Sequence, residues 1–147
     1  MYLLDVNLLI ALCDADHVHH DPSKSWFRRM RPDGWATCPL TENALLRIMG
    51  HPDYPGGPGS PATILPILQG LRSRPGHIFI PDSVSLADSV LVPDISTITP
   101  KMLTDLYLLA LAVAHGGRLA TLDRKIDSRM VSGGRDALVV VTEHNGP

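Results

Sequence analysis

Short apolar runs alternate along this chain with longer segments in which apolar residues recur at helical spacing. The apolar runs predict five strands, at 2–4, 35–38, 77–80, 118–122 and 137–141. Strands that alternate with helices usually form a parallel sheet covered on both faces. The pattern therefore predicts an α/β fold: a three-layer α/β/α sandwich around a central, mostly parallel sheet of about five strands.

Pairs of an N-cap residue and a proline mark the start of several helices between these strands. Such pairs occur at Asp21-Pro22, Ser60-Pro61 and Thr99-Pro100, because the first helical turn tolerates proline. Helices are predicted at 8–13, 21–30, 40–49, 61–72 and 100–115. The Pro- and Gly-rich loop 51–61 comes too early in a chain of 147 residues to be a domain linker. We therefore expect one domain over 1–147.

Composition narrows the class of protein. A formal net charge of −2 gives no general electrostatic reason to bind nucleic acid, so such binding needs a local basic patch. Cys13 and Cys38 fit no metal or redox spacing and indicate reduced thiols. No apolar run has the length of a membrane span or the basic flank of a signal peptide. We expect a cytoplasmic protein without membrane contact.

Three carboxylates follow predicted strands, where parallel sheets gather their functional groups. Asp5 follows the first strand, Glu42 begins the helix after the second, and Asp123 follows the fourth. Each also stands where a helix cap or a first helical turn favours an acid. Taken singly, each of the three is better explained by this structural role than by catalysis.

Asp105 does not fit a capping role, because Thr99 and Pro100 already supply the cap of its helix. Its neighbours at i+3, i+4 and i+7 are apolar, and only Lys101, at i−4, offers a basic partner. An acid on an apolar face must be paired, protonated or bound to a cation. If Asp105 converges with the other three acids, they form an all-oxygen site of the kind that binds Mg²⁺ or Mn²⁺. Such ions hold phosphate oxygens and activate water in nucleases.

Three blocks of the sequence, LLDVNLLIAL, TENALLRI and TDLYLLALAVAHGGRLATLDRKI, resemble the PIN domains of VapC-type toxins. These toxins are the ribonuclease half of type II toxin–antitoxin pairs. The blocks cover the start, the middle and the last third of the chain, in matching order and spacing. The resemblance implies that Asp5, Glu42, Asp105 and Asp123 are the acidic quartet of the family, with none substituted.

The resemblance also implies a PIN-like fold, a homodimer and metal-dependent endonucleolytic cleavage of RNA. It implies inhibition by a cognate antitoxin that occupies a groove of the toxin. We expect Mg²⁺ as the cofactor, with Mn²⁺ as a substitute, and a structured RNA such as tRNA or rRNA as the substrate. On this hypothesis Asp5 and Asp105 are the principal metal ligands, Asp123 assists or holds a second ion, and Glu42 positions or deprotonates the attacking water.

The sequence indicates supporting and substrate-binding residues less specifically than it indicates the four acids. Asn7 and Thr121 fall on polar positions of the motifs and would orient Asp5 and the water, although turn and strand hydrogen bonding explains them equally well. Arg47 and Arg124 are candidates for RNA contact, whereas Lys125 is better explained as a solvated residue.

Two alternatives stay open at the level of sequence, whereas a zinc site at 17–21 is not favoured. A catalytically silent PIN-like module that binds RNA or protein would carry the same motifs. An aspartate-based phosphatase would use an Asp after the first strand as nucleophile, but it usually has a second Asp where this chain has Asn7. HVHHD, at 17–21, lacks the second ligand pair of a zinc site, and its Asp21 is expected to cap a helix.

Overall fold

The computed structural model describes residues 1–88 and 90–142 and contains a five-stranded sheet. Its strands are Tyr2–Leu4 (β1), Trp35–Thr37 (β2), His77–Phe79 (β3), Arg118–Thr121 (β4) and Leu138–Val140 (β5). They lie in the order β3-β2-β1-β4-β5, and each neighbouring pair is parallel. The predicted fold class is confirmed, with a sheet that is parallel throughout.

Six helices connect and cover the strands within the described residues. They are Val6–Cys13 (α1), His20–Met30 (α2), Pro39–Met49 (α3), Pro61–Arg72 (α4), Leu103–Ala114 (α5) and Gly134–Ala137 (α6). In the described part of the chain, none has the length and apolarity needed to cross a membrane.

Four helix starts differ from the predictions. Helices α1 and α3 begin two residues and one residue earlier than expected, at Val6 and Pro39. Helix α2 begins one residue earlier than expected, with His19 at its N-cap, so the prediction that Asp21 caps this helix is wrong. A turn precedes the helix and is closed by a hydrogen bond from the His20 amide to the His17 carbonyl. This turn places His20 in position to begin the helix. Pro100–Met102 forms a 3₁₀ turn, so α5 starts only at Leu103 and Asp105 lies in its first turn.

The core is divided by the sheet into two layers, as the alternation of side chains along each strand requires. In β1, Tyr2 and Leu4 pack with helices α1 to α4, whereas Leu3 packs with α5 and α6. In β4, Ala120 faces the first layer and Leu119 the second. This arrangement leaves the carboxyl ends of β1 and β4 side by side at one edge of the sheet.

Gly50, where α3 ends, offers a test of how tightly α3 and α4 are packed. A Cβ atom at Gly50 would lie 2.5 Å from the Leu46 carbonyl oxygen and 2.6 Å from the Pro61 nitrogen. Because both neighbours are backbone atoms, we expect Gly50→Ala to lower the free energy of unfolding in urea by about 1–3 kcal/mol. Gly70→Ala is the control, because its Cβ would meet no atom within 4 Å and alanine favours a helix by about 0.5–1 kcal/mol. Equal stability changes in the two variants would contradict the tight packing.

Candidate active site

Asp5 lies between the end of β1 and the start of α1 and is 3% exposed. One carboxylate oxygen, Oδ1, accepts a hydrogen bond from the Val6 amide at 2.6 Å and so caps α1. The other, Oδ2, accepts hydrogen bonds from Thr121 Oγ1 at 2.7 Å and from Asn7 Nδ2 at 2.9 Å. The capping role expected from the sequence is therefore confirmed, and it occupies only one of the two oxygens.

The pKa of Asp5 is raised above its ordinary value. Burial is the largest cause, and the charge of Asp123 adds to it. The hydrogen bonds from Thr121, Val6 and Asn7 act in the opposite direction, because they stabilise the ionised form, but they do not outweigh burial. A cation close to Asp5 would supply the missing stabilisation.

Thr121, the last residue of β4, joins three of the candidate site residues. Its buried hydroxyl donates to Asp5 and accepts hydrogen bonds from Asn7 Nδ2 and from the Asp123 amide, both at 3.0 Å. Asn7 Oδ1 accepts in turn from the Leu122 amide at 3.0 Å. The hydroxyl thus fixes Asp5 relative to the segment after β4.

Asp123 follows β4 but caps no helix, so the capping explanation from the sequence is wrong for this residue. Its Oδ1 accepts a hydrogen bond from the Lys125 amide at 2.7 Å, and the chain continues as a turn. An Asp side chain that binds the amide two residues on is a common turn device. The other carboxylate oxygen forms no hydrogen bond within the described residues, so it is available to a ligand.

Asp105 approaches the same site from α5. Its pKa is raised to about 6, first by partial burial and then by the negative charges of Asp5 and Asp123. Its side chain forms no hydrogen bond or ion pair within the described part of the chain, and the basic partner considered in the sequence, Lys101, does not reach it. The negative charges of three aspartates, Asp5 after β1, Asp105 in α5 and Asp123 after β4, therefore act on one another without a compensating positive charge. We call them the aspartate triad.

The aspartate triad fits a divalent cation that keeps part of its water shell. Within residues 1–88 and 90–142, no three His, Cys, Asp or Glu side chains are placed to ligate one ion together. Mg²⁺, however, is held in many sites by one or two carboxylates, with waters and substrate oxygens completing the coordination. The oxygen ligands and the unbalanced negative charge both match this ion.

Glu42 lies in the first turn of α3 and has hydrogen-bond partners of its own. Its Oε1 accepts a hydrogen bond from Thr37 Oγ1 at 2.5 Å, and its Oε2 accepts one from the Arg72 guanidinium at 3.2 Å. Thr37 Oγ1 also lies 2.8 Å from His77 Nε2. Since Thr37 donates to Glu42, His77 Nε2 must donate to Thr37. The structure therefore brings Glu42 into a network that connects β2, α3, α4 and β3.

The cations proposed for RNA contact fall at different places. Arg124 is exposed next to Asp123 and lines a cavity of about 370 Å³. Arg47, in the last turn of α3, instead lines a cavity of about 310 Å³ beside His51 and Tyr54. Lys125 is exposed, as expected for a solvated residue. Of these three cations, only Arg124 and Lys125 lie within two positions of a residue of the aspartate triad.

Sequence reasoning missed Arg72, Thr37 and His77. No motif in the sequence marks these residues, because their contacts depend on how α4 crosses α3 and on the pairing of β2 with β3. Arg72 also stacks over the ring of Phe79, with its guanidinium carbon 4.9 Å from the ring centre. This contact supports the orientation in which Arg72 holds Glu42.

Comparison with known proteins identifies the family of this chain. The sequence model of the PIN domain family matches residues 2–129. Ribonuclease VapC44 of Mycobacterium tuberculosis H37Rv is 41% identical over 131 residues, which cover 89% of this chain and 92% of that protein. Ribonuclease VapC39 of the same strain is 39% identical, covering 82% of this chain and 87% of that protein. Ribonuclease VapC38 is 40% identical, with 84% and 85% covered. This chain therefore belongs to the PIN domain family, among the relatives of the VapC ribonucleases.

Proposed function

We propose that this protein is a metal-dependent endoribonuclease of the VapC toxin type, with the aspartate triad as the centre of its active site. The observation that carries the proposal is the convergence of Asp5, Asp105 and Asp123 without a compensating cation. The names of the relatives, all ribonucleases, support RNA as the substrate. We assign Mg²⁺ as the cofactor, with Mn²⁺ as a substitute.

The residues of the site have separate roles in this proposal. A bound Mg²⁺ supplies positive charge for the phosphate oxygens and lowers the pKa of the attacking water. Asp5 and Asp105 hold the ion, and Asp123 assists them or holds a second ion. Thr121 and Asn7 fix the orientation of the Asp5 carboxylate through their hydrogen bonds to its Oδ2 atom.

Glu42 has the role of positioning or deprotonating the attacking water. Arg72 and Thr37 hold its two carboxylate oxygens, so the carboxylate is oriented before substrate binds. An oriented group costs less reorganisation during the reaction than a free one. We assign Arg72 and Thr37 as positioning residues for Glu42, because neither contacts the aspartate triad.

Removing the metal is the first test of this function. We expect the purified protein to cut total cellular RNA at discrete positions in Mg²⁺ or Mn²⁺, with tRNA or rRNA among the targets, and to cut none in EDTA. Excess Mg²⁺ should restore cleavage, because the ligands stay in place. Sequencing of the new 5′ ends identifies the target. Metal-independent cleavage would contradict the metal centre, and binding of RNA without cleavage in any metal would favour the silent RNA-binding module.

Two partners complete the proposal. We infer from the resemblance to VapC toxins that a cognate antitoxin neutralises the enzyme and that the toxin is a homodimer. Light scattering of the purified protein checks the second inference, since a homodimer has twice the chain mass of 16.0 kDa. A mass of one chain across the concentration range used for cleavage would contradict it.

A further inference from the structure

Phe79 is an exposed aromatic residue at the end of β3, which is an edge strand of the sheet. The chain has two Phe, three Tyr and two Trp residues, all within the described part, and only Phe79 among them is exposed. It is 42% exposed, whereas Thr37, its partner in the pairing of β2 with β3, is completely buried. Burial of an aromatic ring is favourable, so a ligand that covers Phe79 gains free energy.

One face of the Phe79 ring is in contact with a cation. The Arg72 guanidinium carbon lies 4.9 Å from the ring centre, which is a cation–π contact. Because an arginine covers one face of a ring, a planar ligand can stack on the opposite face. The Arg72 guanidinium also donates a hydrogen bond to Glu42 Oε2 at 3.2 Å. Arg72 therefore connects the exposed ring to the acid that we assign to the attacking water.

The register of the sheet places Phe79 close to the aspartate triad. Phe79 pairs with Thr37 in β2. The pairing of β1 with β2 puts Thr37 level with Leu4, the residue before Asp5. Neighbouring strands lie about 4.8 Å apart, so two spacings, about 10 Å, separate the backbone of β3 from that of β1. An RNA strand with a phosphate at the triad can therefore place a nearby base on the Phe79 ring.

We propose that the exposed face of the Phe79 ring stacks on an unpaired nucleobase of the RNA substrate near the cleaved bond. The inference rests on the proposed endoribonuclease function and names a contact that the substrate makes away from the metal. Proteins that recognise structured RNA commonly stack the unpaired bases of loops on aromatic side chains. A base inside a helix already stacks on its neighbours and is not free to make this contact. The Phe79 ring therefore selects bonds that have an unpaired nucleotide nearby.

Binding measured without cleavage isolates this contact from the chemistry. The two probes are a fluorescein-labelled octamer of adenylate and a labelled octamer of abasic units, which carries the same backbone charge. Affinities are measured by fluorescence anisotropy in EDTA. Loss of one stacked base predicts that Phe79→Leu binds the adenylate octamer about 5- to 150-fold more weakly than the wild type. Its affinity for the abasic octamer should not change, and Phe79→Trp, which keeps an aromatic face, should bind adenylate as the wild type does.

Ile78→Ala is the matched control for Phe79→Leu. Ile78 is 48% exposed, and as the preceding residue of the same strand it points to the other face of the sheet. The control variant should bind both octamers as the wild type does. Equal losses in the two variants, or equal affinity of the wild type for the two octamers, would overturn the proposal. A lower mass of Phe79→Leu in light scattering, with unchanged affinity for adenylate, would also overturn it, because the ring would then lie between two copies of the chain.

The stacking proposal and the endoribonuclease proposal can fail separately. If the wild type cleaves no RNA in any metal while Phe79→Leu alone loses affinity for the adenylate octamer, the stacking contact is supported and the nuclease proposal fails. If Phe79→Leu binds adenylate as tightly as the wild type and the wild type cleaves RNA, the nuclease proposal stands and the stacking proposal is wrong.

Discussion

Asp105→Asn is expected to slow RNA cleavage by at least about a hundredfold and to leave the fold intact. The change keeps the shape of the side chain and breaks no hydrogen bond, because Asp105 forms none within the described residues. It removes one of the three charges that we assign to metal binding. Loss of a residue that only orients a metal ligand costs 10- to 100-fold, so loss of a ligand should cost more. The measurement is the initial rate on bulk tRNA in Mg²⁺.

The stability of the same variant separates a lost ligand from a damaged fold. In EDTA, the raised pKa of Asp105, about 6, means that folding disfavours its ionised form. The wild type should therefore lose stability as pH rises from 3.8 to about 6. Asp105→Asn should lose less, because only the raised pKa of Asp5 still acts in that variant. Because Asp105 is partly exposed, we expect a difference on the order of 1 kcal/mol at neutral pH. Asp16→Asn, an exposed change of equal charge, is the control, and an Asp105→Asn protein that cleaves at the wild-type rate would refute the metal site.

Thr121→Val should produce the second large effect, on activity and stability together. Valine keeps the shape but removes the hydroxyl, so Asp5 loses a donor while Asn7 and the Asp123 amide lose an acceptor. Leaving buried polar groups unpaired costs about 1–3 kcal/mol, which urea unfolding measures. The freed Asp5 carboxylate should lower the cleavage rate by about 10- to 100-fold.

Thr121→Ser provides the matched comparison for this position, because it retains the hydroxyl and loses only a methyl group. Burial of one methyl group is worth about 0.8 kcal/mol, so stability should fall slightly and cleavage should persist. A serine variant as inactive as the valine variant would show that packing of the methyl group, rather than the hydrogen bonds, maintains the site.

Much of the fold could be predicted from local signals in the sequence. The predicted strands at 35–38 and 118–122 each extend one residue beyond the observed strand. The hydrophobic pattern indicates that a strand is present, but it does not show where the hydrogen bonds to the neighbouring strand end. Helix α1 starts at Val6, two residues before the predicted position, because Asp5 caps it. The prediction that Asp21 caps α2 was wrong because an Asp-Pro pair is equally compatible with the first turn of a helix. The helix dipole favours an acidic residue at that position too.

The sequence could predict those parts of the site in which the order of the strands alone brings residues together. Asp5 and Asp123 follow strands that turn out to be neighbours, so the rule for the carboxyl ends of parallel strands brings them together. Glu42 follows a neighbouring strand as well, yet its partner Arg72 comes from α4, whose crossing over α3 no local pattern reveals.

The hydrogen bond between Thr121 and Asp5 joins residues that are 116 positions apart. On a ribosome, a chain of this sequence therefore has its first aspartate long before it has the strand that orients it. Until then, the backbone groups of β1 that will pair with β4 have no partner from that strand. If the protein is a nuclease that attacks RNA of the translation machinery, this order of synthesis is protective. The ribosome that makes the enzyme must already have synthesised β4 before the enzyme can cut.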